Sequence, residues 1–382
     1  MKGAFEAPFL FWWQKAPTRA GSRGSAEPSL AFGTKVPGFP LSRERRWWCD
    51  RLGDDIRAID DSKARLRLES SIAPWRWAAC APRPKLRRLS RSQGPCVSSP
   101  HVLHYSAFTD RPEGGNPAGV VLDASGMATA DMQALATRLG YSESIFVQPG
   151  EAGAFDVRYF SPLDEVPFCG HATIAGAVAL AQRDGPGTLR FRTRAGLVEV
   201  VTAREDAGIG ATLTSVAPHV LPALPPGLLD LALTRLRWSA DELDPALPPA
   251  IAYAGARHLI LAAATRERLA RLDYDFAGLK ALTQAHELAT VALVWRVSEH
   301  AFAARNPFPA GGVVEDPATG AAAAAFGAYL RALGAVQAPT DLHIVQGEDM
   351  GRPSQLRVHI PAAGPIRVSG RAVPIPAPAQ AG

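Results

Sequence analysis

The sequence predicts an α+β fold of two similar halves, because one series of elements occurs twice along the chain. In the first occurrence, a lead-in at residues 154–162 runs into a turn containing Pro and Gly and then into an Ala-rich segment, residues 164–177. The second occurrence has the same order, with a lead-in at residues 301–309 and a turn and Ala-rich segment at residues 312–325. The two copies share few residues, but their common order predicts two similar halves with a site between them.

Each Ala-rich segment is expected to form a helix that begins just after its turn. The first N–H groups of a helix have no carbonyl partner within it, and the helix dipole adds positive charge at the same end. Such an end binds anions. Two of them facing each other would clamp a small carboxylate substrate, which is the function that the repeat indicates.

Residues 1–100 differ in composition from the rest of the chain. They contain 19 Lys and Arg against 9 Asp and Glu, six of the eight Trp and three of the four Cys, without a sustained helical or strand period. Basic residues mixed with aromatic ones can bind RNA or a membrane. The lack of an amphipathic face favours instead a disordered or non-native N-terminal extension.

The remaining residues exclude several classes of protein. They hold 22 Lys and Arg against 27 Asp and Glu, so the basicity of the whole chain does not indicate a nucleic-acid partner. No apolar run approaches the length that spans a bilayer, so no membrane partner is expected. Cys169 is the only cysteine after residue 100, which excludes a disulfide framework or a zinc-finger spacing and fits a reducing, cytoplasmic location.

From residue 101 onward, short strands and helices alternate. In the first half we predict strands at residues 104–108, 120–122, 142–148, 189–193 and 197–202, and helices at residues 128–139 and 173–183. Gly140 follows the first helix and is expected to end it in a left-handed conformation. In the second half we predict a strand at residues 252–262, helices between residues 265 and 285, a strand at residues 290–297 and two strands within residues 341–358.

The Pro- and Leu-rich residues 218–226 mark the boundary between the two halves. The predicted domains are an extension at residues 1–100, a first half at 101–217, a second half at 218–365 and a C-terminal tail at 366–382. The tail is expected to return to the first half, and its Pro-rich end beyond Val373 is expected to be frayed.

Glu143 is the candidate for a catalytic carboxylate. The two-residue period of the strand at residues 142–148 places Glu143 on the same face as Ile145 and Val147. A carboxylate on an apolar face is either exposed at the end of a strand or held in a pocket, and this stretch alone leaves both readings open.

Five motifs in order along the chain carry a family resemblance. They are GNPAGVV at residues 115–121, SES at 142–144, FCGHAT at 168–173, EDPATG at 315–320 and QGEDMGRP at 346–353. Together they resemble the PhzF-like isomerases of phenazine biosynthesis, which belong to the diaminopimelate epimerase superfamily. Each motif alone is a weak signal, and five in order over residues 101–375 are a strong one.

The resemblance implies the fold, the reaction and the site. Each half would be a mixed β-sheet rolled around a central helix, with the active site in the cleft between the halves. The reaction would be isomerisation by proton transfer at carbon, with no metal or organic cofactor, in a homodimer acting on a small carboxylate. The implied catalytic residues are Glu143, His171 and Asp316, and the implied substrate-binding residues are Ser142, Gly170, Thr319, Gly320 and Ala321.

The chemistry of the residues agrees with these implied roles. Removing a proton from carbon next to a carboxyl group needs a base and stabilisation of the negative charge that develops. Glu143 can supply the base, and the N–H groups after Gly170 and Asp316 can supply the stabilisation. His171 could relay the proton, although a lone helical histidine is more often structural. The pair Asp316-Pro317 is also typical of a helix N-cap followed by Pro at the first position.

Two positions depart from the patterns of the superfamily. Its racemases and epimerases use one cysteine from each half, and here Cys169 matches the first position while Thr319 stands at the second. A threonine hydroxyl is too weakly acidic for this role, which disfavours an amino-acid racemase and makes Cys169 a small buried residue. Ala321 stands where many PhzF-like proteins have Ser, so only backbone donors remain there. A non-catalytic ligand-binding protein with the same cleft is the alternative from another functional class.

Overall fold

This computed structural model describes residues 100–377. At their centre are two alanine-rich helices, each lying against a curved set of β-strands. The predictions for residues 1–99 and for the end of the tail, residues 378–382, lie outside the described residues. The helices are α1 (Thr129–Leu139), α2 (Gly170–Asp184), α3 (Leu228–Leu236), α4 (Arg266–Ala270), α5 (Phe276–Ala285) and α6 (Gly320–Leu333).

The strands fall into two series of similar order along the chain. The strands are β1 (Leu103–Ala107), β2 (Asn116–Val121), β3 (Glu143–Pro149), β4 (Phe155–Phe160), β5 (Glu165–Val166), β6 (Thr188–Thr193), β7 (Gly196–Glu205), β8 (Gly208–Thr214), β9 (His219–Val220), β10 (Ala250–Tyr253), β11 (Arg257–Ala262), β12 (Thr290–Arg296), β13 (Ala301–Phe308), β14 (Val313–Asp316), β15 (Thr340–Gln346), β16 (Ser354–Ile360) and β17 (Arg367–Pro374).

The first series closes into a ring. Strands β1, β2, β3, β4, β6, β7, β8 and β17 pair in that order, and β17 pairs back with β1. The pairs β2–β3 and β4–β6 are parallel and the others are antiparallel. The second series, β10, β11, β12, β13, β15, β16 and β17, has its parallel pairs at the corresponding places, β11–β12 and β13–β15. This correspondence confirms the predicted α+β class with mixed sheets rolled around helices.

Strand β17 belongs to both series of strands. It pairs with β16 through Arg357 and Ser369, with β8 through Gly370 and Ala211, and with β1 beyond them. Residues 100–377 lie in one compact unit. The division of the chain at residues 217 and 365 therefore stays a prediction.

Each Ala-rich helix is buried on all sides. In α2 the buried residues run without a break from His171 to Ala181, and in α6 they run from Ala322 to Leu330. A helix surrounded by strands must carry small or apolar side chains around its whole circumference, since none of its faces reaches water. The Ala-rich composition that predicted these helices also allows strands to pack around them on every side.

The structure corrects several predicted element boundaries. Helix α2 begins at Gly170, before the predicted start at Thr173, and helix α6 begins at Gly320 with Thr319 as its N-cap. Asp316 and Pro317 therefore do not cap α6, which makes that interpretation wrong.

The predicted strand at residues 252–262 is in fact a hairpin, β10 and β11. Gly255 has φ of +108°, a conformation that reverses the chain and that glycine adopts without a Cβ penalty. Strand β8 and helix α3 were not predicted. Gly140 does end α1 in a left-handed conformation, as predicted.

Among the described residues, no helix combines the length and the apolar character that crossing a membrane requires.

Replacing Gly347 by Ala is expected to destabilise the fold more than replacing Gly351. Both lie in the turn between β15 and β16 with φ of +77°. A Cβ at Gly347 would lie 2.6 Å from the carbonyl oxygen of Arg352 and 2.8 Å from that of Pro317, whereas one at Gly351 would meet no atom within 4 Å. Each Ala should cost about 1–2 kcal/mol through the left-handed backbone, and Gly347→Ala about 1–3 kcal/mol more through overpacking. Urea unfolding measures both, and an equal loss would contradict the packing argument.

Candidate active site

Glu143 lies at the start of β3, where this strand pairs in parallel with β2. Further along the same strand, Ile145 and Val147 are buried in the core that surrounds the two Ala-rich helices. The side chain of Glu143 is 18% exposed. This carboxylate is thus at the edge of the core, neither in bulk water nor sealed from it.

His171 brings an imidazole from the first turn of α2 to this carboxylate. Its Nε2 lies 3.5 Å from Oε2 of Glu143 and 3.3 Å from Oγ of Ser142. The side chain is 6% exposed. Burial lowers the pKa of His171, and the charge of Glu143 opposes that shift. The imidazole is accordingly a neutral group that can exchange protons with Glu143 or with a bound ligand.

Cys169 precedes α2 and lies beside the same imidazole. Its Sγ is 3.3 Å from Nδ1 of His171. Burial raises the pKa of the Cys169 thiol well above its usual value, and the negative charge of Glu143 raises it further. A thiol in this environment keeps its proton, as expected for the small buried residue that the sequence predicted.

Both carboxylate oxygens of Asp316 accept hydrogen bonds from the chain. Oδ1 accepts a hydrogen bond of 2.8 Å from Nδ2 of Asn116, and Oδ2 accepts one of 2.5 Å from the hydroxyl of Thr319. Burial raises the pKa of Asp316 to about 7, even though the bonds from Thr319 and Asn116 favour the charged form. Each oxygen of Asp316 therefore has a hydrogen-bond partner from the chain.

Gln346 stabilises the backbone around Asp316. Its Nε2 donates to the carbonyl of Asp316 at 2.7 Å and to Oγ1 of Thr319 at 3.0 Å, and its Oε1 accepts from the N–H of Thr319 at 3.1 Å. Gln346 comes from the first position of the QGEDMGRP motif. The motif therefore stabilises the segment that leads into α6, although Gln346 lies at the end of β15, about 30 residues later in the sequence.

Asn116 joins the beginnings of the two Ala-rich helices. Its Nδ2 lies 3.2 Å from Nδ1 of His171, in the first turn of α2, and 2.8 Å from Oδ1 of Asp316. It also lies 3.4 Å from the carbonyl of Ala318, just before α6. Residues from three distant parts of the chain thus meet at one buried amide.

The two helix N-termini offer backbone donors next to this cluster. The N–H of Thr173 is bonded to the carbonyl of Cys169, and the N–H of Ala323 to that of Thr319. The earlier N–H groups of each helix have no carbonyl one turn before them within the helix. Gly170 borders open space, since a Cβ built on it would meet no atom within 4 Å.

The structure therefore brings the predicted catalytic residues Glu143, His171 and Asp316 into one cluster. Of the predicted substrate-binding residues, Ser142 contacts His171, and Thr319 contacts Asp316. The remaining three, Gly170, Gly320 and Ala321, lie at the first positions of α2 and α6.

Asn116 and Gln346 are the residues of this cluster that the sequence analysis did not single out. Both stand in motifs that carried the resemblance, Asn116 in GNPAGVV and Gln346 in QGEDMGRP. The glycines and Pro117 of the first motif are typical of a turn, and a turn by itself gives Asn116 no role in a site. The available signal was an Asn beside Gly115 and Pro117, and its burial, which requires hydrogen-bond partners for the amide, is seen only in the structure.

A metal ion would find three ligand types here. A carboxylate oxygen of Glu143, Sγ of Cys169 and a ring nitrogen of His171 lie within 4.8 Å of one another. However, the thiol holds its proton, and both ring nitrogens face groups of the chain. As arranged, the cluster is suited to holding and moving protons, and an ion would have to displace the thiol proton to bind.

Comparisons with known proteins agree with this description. Residues 105–377 match the family described as phenazine biosynthesis-like protein, PhzC-PhzF. The chain is 29% identical over 286 residues to the uncharacterized isomerase YfhB of Bacillus subtilis, which covers 71% of this chain and 95% of the relative. It is 29% identical over 260 residues to the trans-2,3-dihydro-3-hydroxyanthranilate isomerase of Pseudomonas chlororaphis, covering 66% of this chain and 88% of the relative.

A solved structure gives the same assignment. The crystal structure of the Bacillus anthracis phenazine biosynthesis protein of the PhzF family superposes with a TM-score of 0.66 at 26% sequence identity. The superposition covers 72% of this chain and 96% of that one. The chain therefore belongs to the phenazine biosynthesis-like (PhzC-PhzF) family and is an isomerase of that family.

Proposed function

We propose that the chain is a cofactor-independent isomerase that moves a proton between two carbons of a small carboxylate, with Glu143 as the general acid and base. The observation that carries this proposal is the position of the Glu143 carboxylate. It lies 3.5 Å from Nε2 of His171, in the first turn of a buried helix whose N-terminal Gly170 borders open space. A base, a neutral proton donor and backbone N–H groups are thus close together.

In the proposed reaction Glu143 removes a proton from a carbon next to a conjugated or carboxyl-bearing system. The electron pair of the broken C–H bond moves into that system, where the N–H groups at the starts of α2 and α6 stabilise the negative charge. The Glu143 carboxylic acid then returns the proton to a different carbon. Atoms and electrons balance without an oxidant or reductant, so the step needs no further reactant.

His171 and Asp316 have supporting roles in this proposal. His171 presents a neutral imidazole to Glu143 and relays the proton or donates to the substrate. Asp316 has both oxygens bonded within the chain, so it acts through Asn116 and Thr319 and positions the segment that leads into α6.

The proposed substrate is a small carboxylate. The relative from Pseudomonas chlororaphis is named for trans-2,3-dihydro-3-hydroxyanthranilate, a carboxylate. In this chain Ala321 adds no hydroxyl at the start of α6, so a substrate carboxylate there would be bound by backbone donors alone. The chain is therefore proposed to act on a small carboxylate that differs from the phenazine precursor. A homodimer and a cytoplasmic location, expected from the resemblance and from the cysteine usage, complete the proposal.

The structure disfavours the racemase alternative. A two-base racemase needs a second base across from the first, and the candidate position holds Thr319. Its hydroxyl donates to Asp316, and the thiol of Cys169 has a raised pKa because it is buried. Neither group is a base at neutral pH.

Glu143→Gln is expected to lower solvent-deuterium incorporation into the substrate by at least about 10²-fold, because the amide cannot accept the proton. The measurement is a screen of hydroxy and amino carboxylates for deuterium uptake in D₂O, followed by mass spectrometry. Glu165→Gln is the matched control, since Glu165 is also a half-buried strand carboxylate, 14% exposed, but pairs with Arg158. Equal deuterium exchange in Glu143→Gln and in the wild type would show that Glu143 is not the base. Tight ligand binding without any exchange in the wild type would support a binding protein instead.

Cys169→Ser is expected to keep deuterium exchange well above that of Glu143→Gln, because a protonated buried thiol takes no part in the proposed step. The same exchange assay measures it. If this variant were as inactive as Glu143→Gln, the Cys169 thiol would take part in catalysis and the proposed mechanism would be wrong.

Asp316→Asn is expected to change how stability depends on pH. The pKa of Asp316 is about 7 in the folded state and about 3.9 in an unfolded chain. Between these values the unfolded state releases the proton while the folded state keeps it, so the wild type loses stability as pH rises from about 4 to about 7. The variant lacks this carboxyl, so its stability relative to wild type should rise by a few kcal/mol, about 1.4 per pH unit at most, across that window.

Urea unfolding of both proteins at several pH values between 4 and 8 measures this difference. A difference that did not vary with pH would show that the Asp316 carboxyl titrates as it does in water.

A further inference from the structure

We propose that Asn116 is a positioning residue that fixes His171 in the tautomer with its proton on Nε2 and couples this imidazole to Asp316. The role of this tautomer in catalysis rests on the proposed function. The tautomer itself is a property of the buried hydrogen bonds and can be measured without a substrate.

The orientation of the Asn116 amide follows from its oxygen neighbours. Nδ2 lies 2.8 Å from Oδ1 of Asp316 and 3.4 Å from the carbonyl oxygen of Ala318. If the amide were rotated by 180°, its own oxygen would face the carbonyl oxygen of Ala318, which carries no hydrogen, as well as Oδ1 of Asp316. The nitrogen therefore faces these oxygens, and one of its two hydrogens bonds Oδ1 of Asp316, the nearer of the two.

The same nitrogen lies 3.2 Å from Nδ1 of His171. Because Nδ2 can only donate, Nδ1 is the acceptor and carries no proton. The second neighbour of Nδ1, the Cys169 thiol at 3.3 Å, can also donate to it. A neutral imidazole with an unprotonated Nδ1 carries its hydrogen on Nε2, and Nε2 faces Oε2 of Glu143 and Oγ of Ser142.

This tautomer serves proton transfer beside Glu143. The hydrogen on Nε2 stabilises the carboxylate before it takes a proton, or reaches a ligand bound next to Gly170. The opposite tautomer would turn a lone pair toward the Glu143 carboxylate, and the two would repel each other. The donors on the far side of the ring, Nδ2 of Asn116 and the Cys169 thiol, thus determine what the ring presents to the substrate.

The chain holds Asn116 firmly in place. The residue is 1% exposed and begins β2, where it pairs with Ala107 of β1. Gly115 before it has φ of +70°, and a Cβ there would lie 2.4 Å from the carbonyl of Ala107. Arg352, from the QGEDMGRP motif, donates to the carbonyls of Gly114 at 2.8 Å and Gly115 at 2.9 Å. The motif that supports Asp316 through Gln346 therefore also supports Asn116 through Arg352.

Asn116→Asp tests the proposal, because it keeps the shape of the side chain and replaces the donor by an acceptor. We expect the wild type to show Nδ1 of His171 unprotonated and Nε2 protonated in ¹⁵N NMR spectra of the full chain labelled at histidine. In Asn116→Asp, Nδ1 should gain a proton, giving either the opposite tautomer or the doubly protonated ring. The signals are assigned by their loss in His171→Gln.

Gln148→Glu is the matched control for replacing an amide donor on a strand by a carboxylate. Gln148 lies in β3, five residues from Glu143, and its Nε2 donates to the carbonyl of Ala124 at 2.7 Å, so this change should leave the His171 signals as in the wild type. A proton on Nδ1 of His171 in the wild type would overturn the proposal, whether or not Asn116→Asp folds. Unchanged His171 signals in a folded Asn116→Asp would overturn it as well. Absence of isomerase activity in the wild type, with the expected tautomers observed, would count against the proposed function and leave the role of Asn116 intact.

Discussion

The enclosure of a helix by strands is the constraint on which the rest of the structure depends. Helix α2 is buried on every side from His171 to Ala181 and packs against strands of the surrounding ring that include β1, β2, β3, β7, β8 and β17. A helix without a water-facing side can meet a ligand only at an end. Its N-terminal end carries N–H groups without a carbonyl partner in the helix, together with positive dipole charge. The position of the candidate site at this end therefore follows from the packing of the core.

The polar residues at this end form a network in which buried groups satisfy one another. Asn116 and Thr319 each donate to the carboxylate of Asp316. Gln346 donates to the carbonyl of Asp316 and accepts from the N–H of Thr319. Leaving one such group without a partner costs about 1–3 kcal/mol, so each member restrains the others. Burial outweighs the two hydrogen bonds that favour the charge of Asp316, and its pKa is raised. Because Asn116 also contacts His171, the network extends from the start of α6 to the candidate base.

Local sequence signals predicted a large part of the fold. The Ala-rich segments gave both enclosed helices, and Gly140 gave the end of α1, because helix propensity and a left-handed glycine act within a few residues. Signals for short elements were weaker. The hairpin of β10 and β11 appeared as one strand, since both of its strands are apolar and Gly255 is a single turn residue between them. Asp316-Pro317 has the composition of a cap but lies at the end of β14, where pairing with β13 overrides that preference.

The sequence by itself determined the order of elements, the two repeated helix starts, the family resemblance and the identity of Glu143, His171 and Asp316 as the residues to examine. Each of these depends on residue type and on neighbours along the chain. The tertiary structure decided which atoms meet. The contact of Asn116 with His171 and Asp316 spans 55 and 200 residues of sequence. Such a contact depends on the closure of the ring of strands and on the packing of two helices, and no local pattern encodes it.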